Sequence, residues 1–269
     1  HQAIETEKYS EALEVMKRIE GRRGLSDHEK ALMWQTSGFV YSALERFDKA
    51  AESFEKCLES EALPEAALRN TQFNLGQIYM VAGKFKSAIR VLEDWFGKVE
   101  TPSAQAEYLL AGAYAESKQH KNAVVFIERA LARQKKPPQS WLTLALSLQF
   151  QQSNFKKVLS VLKRLIVLYP KRNYWLQLSG VYGELGDEAR SLAAMELAYE
   201  AGYATTKPDI VMLVRLLMNQ SVPHKGALIL DKAMGAEVGA VYMPAQQSGS
   251  PMTYMVDGRQ YIVVAVSGG

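Results

Sequence analysis

The 269-residue chain has little of what marks enzymes, disulfide-stabilised proteins or membrane proteins. Its one cysteine, Cys57, excludes an internal disulfide bond, and no apolar run approaches the ~18 residues that a membrane span requires. We therefore expect no span. The histidines are far apart in sequence, without the spacing of metal ligands, at His1, His28, His120 and His224.

Catalytic motifs are also missing. There is no phosphate-binding Gly-Lys-Ser/Thr loop and no serine nucleophile elbow. Gly180, Gly183 and Gly186 lie near a predicted helix end, whereas a dinucleotide-binding loop opens a helix after a strand. Acidic residues are numerous, but no separated pair suggests acid–base chemistry. We expect a protein that is not an enzyme, with no catalytic residues, no bound metal and no cofactor.

What the sequence does contain is an internal repeat. A small residue recurs about every 33 to 38 positions, at Ala12, Ala50, Ala88, Ala123, Val158, Ser191 and Gly226. Self-similarity with this period predicts stacked supersecondary units, each contacting only its neighbours. Prolines fall between the units, where helices should end.

One unit shows the pattern clearly. Apolar side chains at helical spacing predict a first helix over 69–82. Gly83 should end this helix, because glycine tolerates the left-handed conformation needed there. A second helix follows with Phe85 and Ala88 on one stripe. Small Gly76 and Ala88 should let the two helices approach closely, which predicts an antiparallel helix hairpin.

These repeat units resemble tetratricopeptide repeats. The residues that carry the resemblance are Trp34, Gly38, Tyr41, Ala50, Phe54 and Cys57 in one unit, and Leu75, Gly76, Tyr79, Ala88 and Leu92 in the next. The resemblance covers residues 1 to about 236, as about six repeats preceded by a truncated N-terminal helix. Trp141, Leu144 and Ala145 fit the pattern if one extra residue enters the turn before Val158. The resemblance to tetratricopeptide repeats implies an all-α, right-handed superhelical solenoid that binds other proteins.

The units are also similar to tetratricopeptide proteins that accompany TonB energy-transduction systems of Gram-negative bacteria. The phrases that suggest this lie at 95–96, 136–141, 174–178 and 222–227, and none is a chemical motif. This narrower resemblance implies a bacterial envelope complex and a periplasmic location. A soluble cytoplasmic location is the alternative.

The resemblance also implies a concave groove lined by the first helix of each unit. The positions expected there are apolar or amide-bearing with a single charge, and they are Gln35, Phe39, Asn70, Phe73, Gln77, Met80, Gln105, Tyr108, Leu142, Leu146, Asn173, Leu176, Val211, Arg215 and Met218. Such a groove suits an extended or helical apolar segment of a protein partner, with the amides bonding its backbone. Alternatively several of these side chains, Leu142 and Leu146 above all, only pack between units.

The helical pattern stops near Gly239. Two β-branched and aromatic runs flank Asp257-Gly258 and predict a β-hairpin or extended tail over 237–269. Residues 250–264 are similar to the C-terminal segment of pyrroloquinoline-quinone-dependent dehydrogenases, which suggests an accessory subunit or chaperone of such an enzyme as the alternative function. The quinone site has no counterpart here. Because the tail and the groove are both apolar, the tail is a candidate ligand of the groove, in cis or in trans.

Charge is unevenly distributed along the chain. Residues 129–172 hold ten bases and no acid, although the net charge of the chain is only +3. The candidate basic patch comprises Lys135, Lys136, Lys156, Lys157, Lys163 and Arg164. Such a field attracts an acidic partner, and a solvated outer face is the plainer interpretation. Nucleic acid is not expected, since neither interleaved aromatics nor a known binding module is present.

Overall fold

The computed structural model describes residues 2–22, 24–234, 252–256 and 259–263. Its helices are α1 Gln2–Glu20, α2 Asp27–Ala43, α3 Phe47–Glu59, α4 Glu65–Val81, α5 Phe85–Gly97, α6 Ala104–Glu116, α7 His120–Ala132, α8 Gln139–Gln151, α9 Phe155–Leu168, α10 Arg172–Glu184, α11 Glu188–Glu200, α12 Lys207–Asn219 and α13 Pro223–Met234. Two strands follow, β1 Met252–Val256 and β2 Arg259–Val263. The chain divides into two compact units, residues 1–152 and 153–269.

Within each unit, consecutive helices pack against one another. In the first unit α2 packs on α3, α4 on α5 and α6 on α7, with α1 against α2 and α8 against α7. In the second unit α10 packs on α11 and α12 on α13, while α9 contacts α10. The predicted helix hairpin is therefore the repeating element, and no helix in the described part of the chain has the length and apolarity to cross a membrane.

Three-residue turns join α2 to α3, α4 to α5, α6 to α7, α8 to α9, α10 to α11 and α12 to α13. The middle residue of each turn has a positive φ, at Glu45, Gly83, Lys118, Ser153, Gly186 and Ser221. In a typical turn, the amide of Lys84 donates to the carbonyl oxygen of Tyr79 at 2.8 Å, so a helix carbonyl is satisfied beyond the helix end. The left-handed stop predicted at Gly83 is confirmed, and the same geometry occurs at residues that are not glycine.

The extra residue predicted in the turn before Val158 is wrong. The turn between α8 and α9 spans 152–154, the same length as the turn 117–119 between α6 and α7. The prediction aligned Trp141 with Trp34. Counted back from the turn that follows each helix, however, the residue of α8 that corresponds to Trp34 is Leu142. The whole of α8 is therefore shifted by one position relative to the sequence-based alignment.

Close packing explains the small residues of the repeat. A Cβ added to Gly38 would lie 2.5 Å from the Phe54 ring, and one added to Gly76 would lie 2.5 Å from Leu92 Cδ2. In the second unit a buried serine replaces the glycine, and the Ser179 hydroxyl donates to the Ser191 carbonyl oxygen at 2.9 Å. The glycines are thus required by helix contact, as the sequence predicted for Gly76.

Successive hairpins of the first unit are also joined by partly buried polar contacts. The hydroxyl of Tyr79 donates to the Glu55 carboxylate, and that of Tyr114 donates to Glu93. In each pair the carboxylate lies on the second helix of the preceding hairpin. These contacts fix the rotation of each hairpin against the one before it, because a buried hydroxyl must keep its partner.

The two strands form an antiparallel pair in which Met252 lies opposite Val263 and Val256 opposite Arg259. The predicted turn residues, Asp257 and Gly258, lie outside the described residues, as do 235–251 and 264–269.

Candidate functional site

In the first unit, the first helices of the hairpins present one exposed face, here called the first-helix face. On each of these helices it consists of four residues, which precede the first residue of the following turn by 12, 9, 5 and 2 positions. They are Leu32, Gln35, Phe39 and Ser42 on α2, Asn70, Phe73, Gln77 and Met80 on α4, Gln105, Tyr108, Gly112 and Ala115 on α6, and Ser140, Thr143, Ser147 and Phe150 on α8. None of these sixteen positions carries a charge, although 23% of the chain is charged.

Large apolar side chains on this face are accessible to solvent. Leu32 is 43% exposed, Phe39 48% and Phe150 36%. The amides of Asn70 and Gln105 are exposed beside them. The face therefore offers both apolar surface and amide groups that can bond a peptide backbone.

Several predicted groove residues also hold the first unit together. Gln35 Nε2 donates to Thr71 Oγ1 at 2.7 Å and thereby joins α2 to α4. Tyr108 stacks on Trp141, with ring centroids 5.0 Å apart, and joins α6 to α8. On α4 the Phe73 ring contacts the Trp95 ring of α5, with the two ring centroids 5.0 Å apart. Gln35, Phe73 and Tyr108 are accordingly only partly exposed, and Gln77 and Met80 on the same face are partly exposed too.

The corrected alignment changes which α8 residues belong to the face. Leu142 is fully buried and Leu146 is 6% exposed, so both pack in the core, which is the alternative that the sequence left open. Thr143, Ser147 and Phe150 take their places. Sequence reasoning missed them because it aligned α8 on its tryptophan, whereas counting back from the turn identifies them.

In the second unit the corresponding positions are more open. Val211 is 50% exposed and Met218 47%, and Arg215 between them is also exposed. On α10, Asn173 is exposed, while Leu176 packs partly against the core of this unit. Gly180 is exposed too, with no atom within 4 Å of an added Cβ. Arg215 is the one charge among these positions on α10 and α12.

The predicted basic residues occupy two places in the chain. Lys135 and Lys136 are exposed between α7 and α8 in the first unit. Lys156, Lys157, Lys163 and Arg164 all lie on α9 in the second unit, and Lys163 Nζ lies over the Tyr182 ring, 5.8 Å from its centroid.

Two buried carboxylates are each paired with an arginine. Asp209 is 2% exposed and accepts from Arg172 Nε at 2.7 Å, and this hydrogen bond holds its pKa below the usual value. Glu107 is also 2% exposed, and burial raises its pKa against the opposing charge of Arg133, whose Nε lies at 3.2 Å. Both sites are structural, and among the described residues no group of three or more histidine, cysteine or acidic side chains is placed to hold a metal.

Comparison with known proteins agrees with this architecture. Residues 31–62, which span most of α2, all of α3 and the turn between them, match the tetratricopeptide-repeat family model. No curated protein matches the chain. The single family match covers one hairpin, and the other hairpins are related to it by structure.

Solved structures with a similar fold include tetratricopeptide repeat proteins. YrrB, described as having an unusual peptide-binding site, is 16% identical, with a TM-score of 0.54 covering 80% of this chain and 99% of that one. A tetratricopeptide repeat protein from Parabacteroides merdae is 15% identical, with a TM-score of 0.52 over 88% and 90%. MamA is 21% identical, with a TM-score of 0.51 over 61% and 92%. At these identities the likeness establishes the fold alone.

Proposed function

We propose that this protein is a non-catalytic scaffold that binds an apolar, uncharged peptide segment on the first-helix face of its first unit. The observation that carries the proposal is the complete absence of charge at sixteen face positions, combined with exposed Leu32, Phe39 and Phe150. The tetratricopeptide fold supports it, since proteins of this fold bind protein or peptide partners. The peptide-binding site of the structurally similar YrrB is consistent with it.

The chemistry of the face defines the ligand. Apolar side chains of the ligand would cover Phe39 and Phe150, and its backbone groups would bond the amides of Asn70 and Gln105. A charged ligand would be disfavoured, because its charge would lose water without gaining an ionic partner on this face. A terminal carboxylate is therefore not part of the recognised feature.

The test begins with selection of twelve-residue peptides from a random library on the full chain, followed by calorimetric titration of those selected. We expect peptides of low charge and high apolar content. Replacing Leu32 and Phe39 together by serine should weaken binding about tenfold or more, as exposed apolar anchors usually carry much of the affinity. Val125→Ser is the matched control, because Val125 is 46% exposed but lies on a second helix.

Two results would refute this assignment. Peptides rich in acidic or basic residues would contradict the uncharged face, and an equal loss of affinity in Val125→Ser would place the site elsewhere. The apolar tail of this chain is itself a candidate ligand. Titrating a peptide of residues 241–269 into the chain truncated at 240 tests this, and no binding removes the tail from consideration.

We further propose that the scaffold belongs to a bacterial envelope complex of the TonB type and works in the periplasm. The support is the sequence similarity of the segments 136–141 and 174–178. Crosslinking in cells and identification of the partner by mass spectrometry test it, with energy-transduction components expected. Recovery of a quinone-dependent dehydrogenase would instead favour the accessory-subunit alternative, which rests on residues 250–264.

A further inference from the structure

Helix α9 departs from the pattern of the second helices α3, α5, α7, α11 and α13. At its ninth position each of these five helices carries a carboxylate, at Glu55, Glu93, Glu128, Glu196 and Asp231, whereas the truncated α1 has Lys17 at the equivalent place, five residues after Ala12. Helix α9 carries Lys163 there. It also lacks any acidic residue, and its four bases give it a formal charge of +4.

This departure removes a stabilising contact. In the first unit the carboxylate at this position accepts a hydrogen bond from the next hairpin, for example from Tyr79 to Glu55. An ammonium group cannot accept, and Lys163 instead lies over the face of the Tyr182 ring. A glutamate at this position could accept from Tyr182 as Glu55 accepts from Tyr79, so the hairpin contact can be made with either residue and does not require a lysine.

The positive charge is presented on one exposed stripe. Lys156, Ser160, Lys163 and Val167 are spaced by four, three and four residues, so they lie along one side of the helix, and all four are exposed. Val167 is 80% exposed, the highest value among the large apolar side chains described. At a helical rise of 1.5 Å per residue the two lysines are about 10 Å apart along the axis, and Val167 lies about 6 Å beyond them.

We propose that this α9 stripe is a second docking surface, which binds an acidic segment of another protein. The partner carries carboxylates opposite Lys156 and Lys163 and an apolar side chain opposite Val167. The stripe lies on a second helix of the other unit, so this interaction is additional to peptide binding on the first-helix face. The charge attracts the segment, and the contact with Val167 fixes its register.

The chemistry of the stripe favours a protein over a nucleic acid. Single-stranded nucleic acid requires exposed aromatic faces on which bases stack. The stripe has none, since Tyr182 is 7% exposed and its ring is covered by Lys163. The exposed Val167 beside the two lysines makes no favourable contact with a phosphate backbone, whereas it can pack against an apolar side chain of an acidic peptide.

A designed peptide tests the proposal. The probe is a fluorescein-labelled helical peptide with glutamates at positions 1, 4 and 8, a leucine at position 12 and alanine or glutamine elsewhere. Binding to the full chain is followed by fluorescence anisotropy at low salt. We expect binding that weakens about tenfold or more in 0.5 M salt or when the glutamates become glutamines.

Variants of the chain separate the stripe from charge in general. Lys156→Glu with Lys163→Glu should lower affinity about tenfold or more. The matched control is Lys86→Glu with Lys121→Glu, because these exposed lysines occupy on α5 and α7 the position that Lys156 has on α9. Folding is controlled by Lys163→Glu alone, which restores a carboxylate opposite Tyr182 and should leave thermal stability unchanged or higher.

A double-mutant cycle that combines Val167→Ser with a leucine-to-serine change in the probe tests the register of the peptide. The change in the probe should weaken binding to the wild-type chain and have little effect on binding to Val167→Ser. The effects of the two changes on the binding free energy should therefore not be additive. The proposal is overturned if the control pair weakens binding as much as the stripe pair, or if the two Val167-cycle changes add. Tighter binding of a twelve-nucleotide thymidine strand than of the probe would also overturn it.

Discussion

Gly76 provides the sharpest test of how the hairpins are packed. In Gly76→Ala the new methyl group would lie 2.5 Å from Leu92 Cδ2 and 2.7 Å from Leu92 Cγ. Leu92 is fully buried, so its side chain has no space into which to move. Such overpacking costs about 1–3 kcal/mol, while alanine gains about 1 kcal/mol over glycine in a helix. The expected net loss is about 1 kcal/mol of unfolding free energy.

The neighbouring hairpin supplies the rescue. At the corresponding positions it has Ala111 opposite Ile127, and both are fully buried. The pair Gly76→Ala with Leu92→Ile copies that arrangement and should recover most of the lost stability. Because the two residues are in contact, we expect a coupling free energy of about 1 kcal/mol or more.

Urea unfolding followed by circular dichroism measures all three variants. Gly112→Ala is the control, since an added Cβ there would meet only the terminal methyl group of Met80, at 3.4 Å. It should gain about 0.5–1 kcal/mol from helix propensity. If Gly76→Ala is stabilising to the same degree, or if Leu92→Ile gives no rescue, close helix approach is not the reason for the glycine.

Three further predictions concern the turns, the inter-hairpin contacts and the buried ion pair. Lys118→Gly should stabilise the chain by about 1 kcal/mol, because φ is +60° at this exposed position; thermal unfolding measures it. Tyr79→Phe should cost about 1.5–3 kcal/mol in urea unfolding, since it removes the hydrogen bond to the Glu55 carboxylate, and no loss would contradict that contact. Arg172→Ala should lower the free energy of unfolding, as it leaves the buried Asp209 carboxylate unpaired, and urea unfolding measures it. The folded-state pKa of Asp209 is depressed, so its contribution to stability is present above the ordinary value of 3.8 and is lost as pH falls through the lower folded value. Unfolding measured against pH should therefore show a smaller decline in Arg172→Ala than in the wild type.

The helix hairpins of the first unit follow from the sequence. Small residues at Gly76 and Ala88 recur at a fixed period because two helices can approach closely only where side chains are small. The same close approach makes the pattern readable without a structure. The left-handed stop at Gly83 is predictable for a similar reason, because glycine alone adopts that conformation without cost.

The candidate site is only partly predictable. The sequence prediction named eight of the twelve face positions on α2, α4 and α6, where glycine or alanine fixes the alignment, but it left out Leu32. On α8 the run from Trp141 to Leu146 is apolar at all but one position, so the pattern is compatible with more than one rotation of the helix. Only the three-residue turn after Gln151 shows that Leu142 is buried and that Phe150 lies on the face.

The sequence by itself thus determined the repeat, its period and the helix hairpin, because these depend on local spacing of small and apolar residues. The tertiary structure decided which side chains are left to meet a partner. It also showed that Lys118 adopts a left-handed turn, since the hydrogen bond from the Gln119 amide to the Tyr114 carbonyl oxygen compensates for it. The contact of Lys163 with Tyr182 likewise depends on α9 and α10 being brought together, which no local pattern encodes.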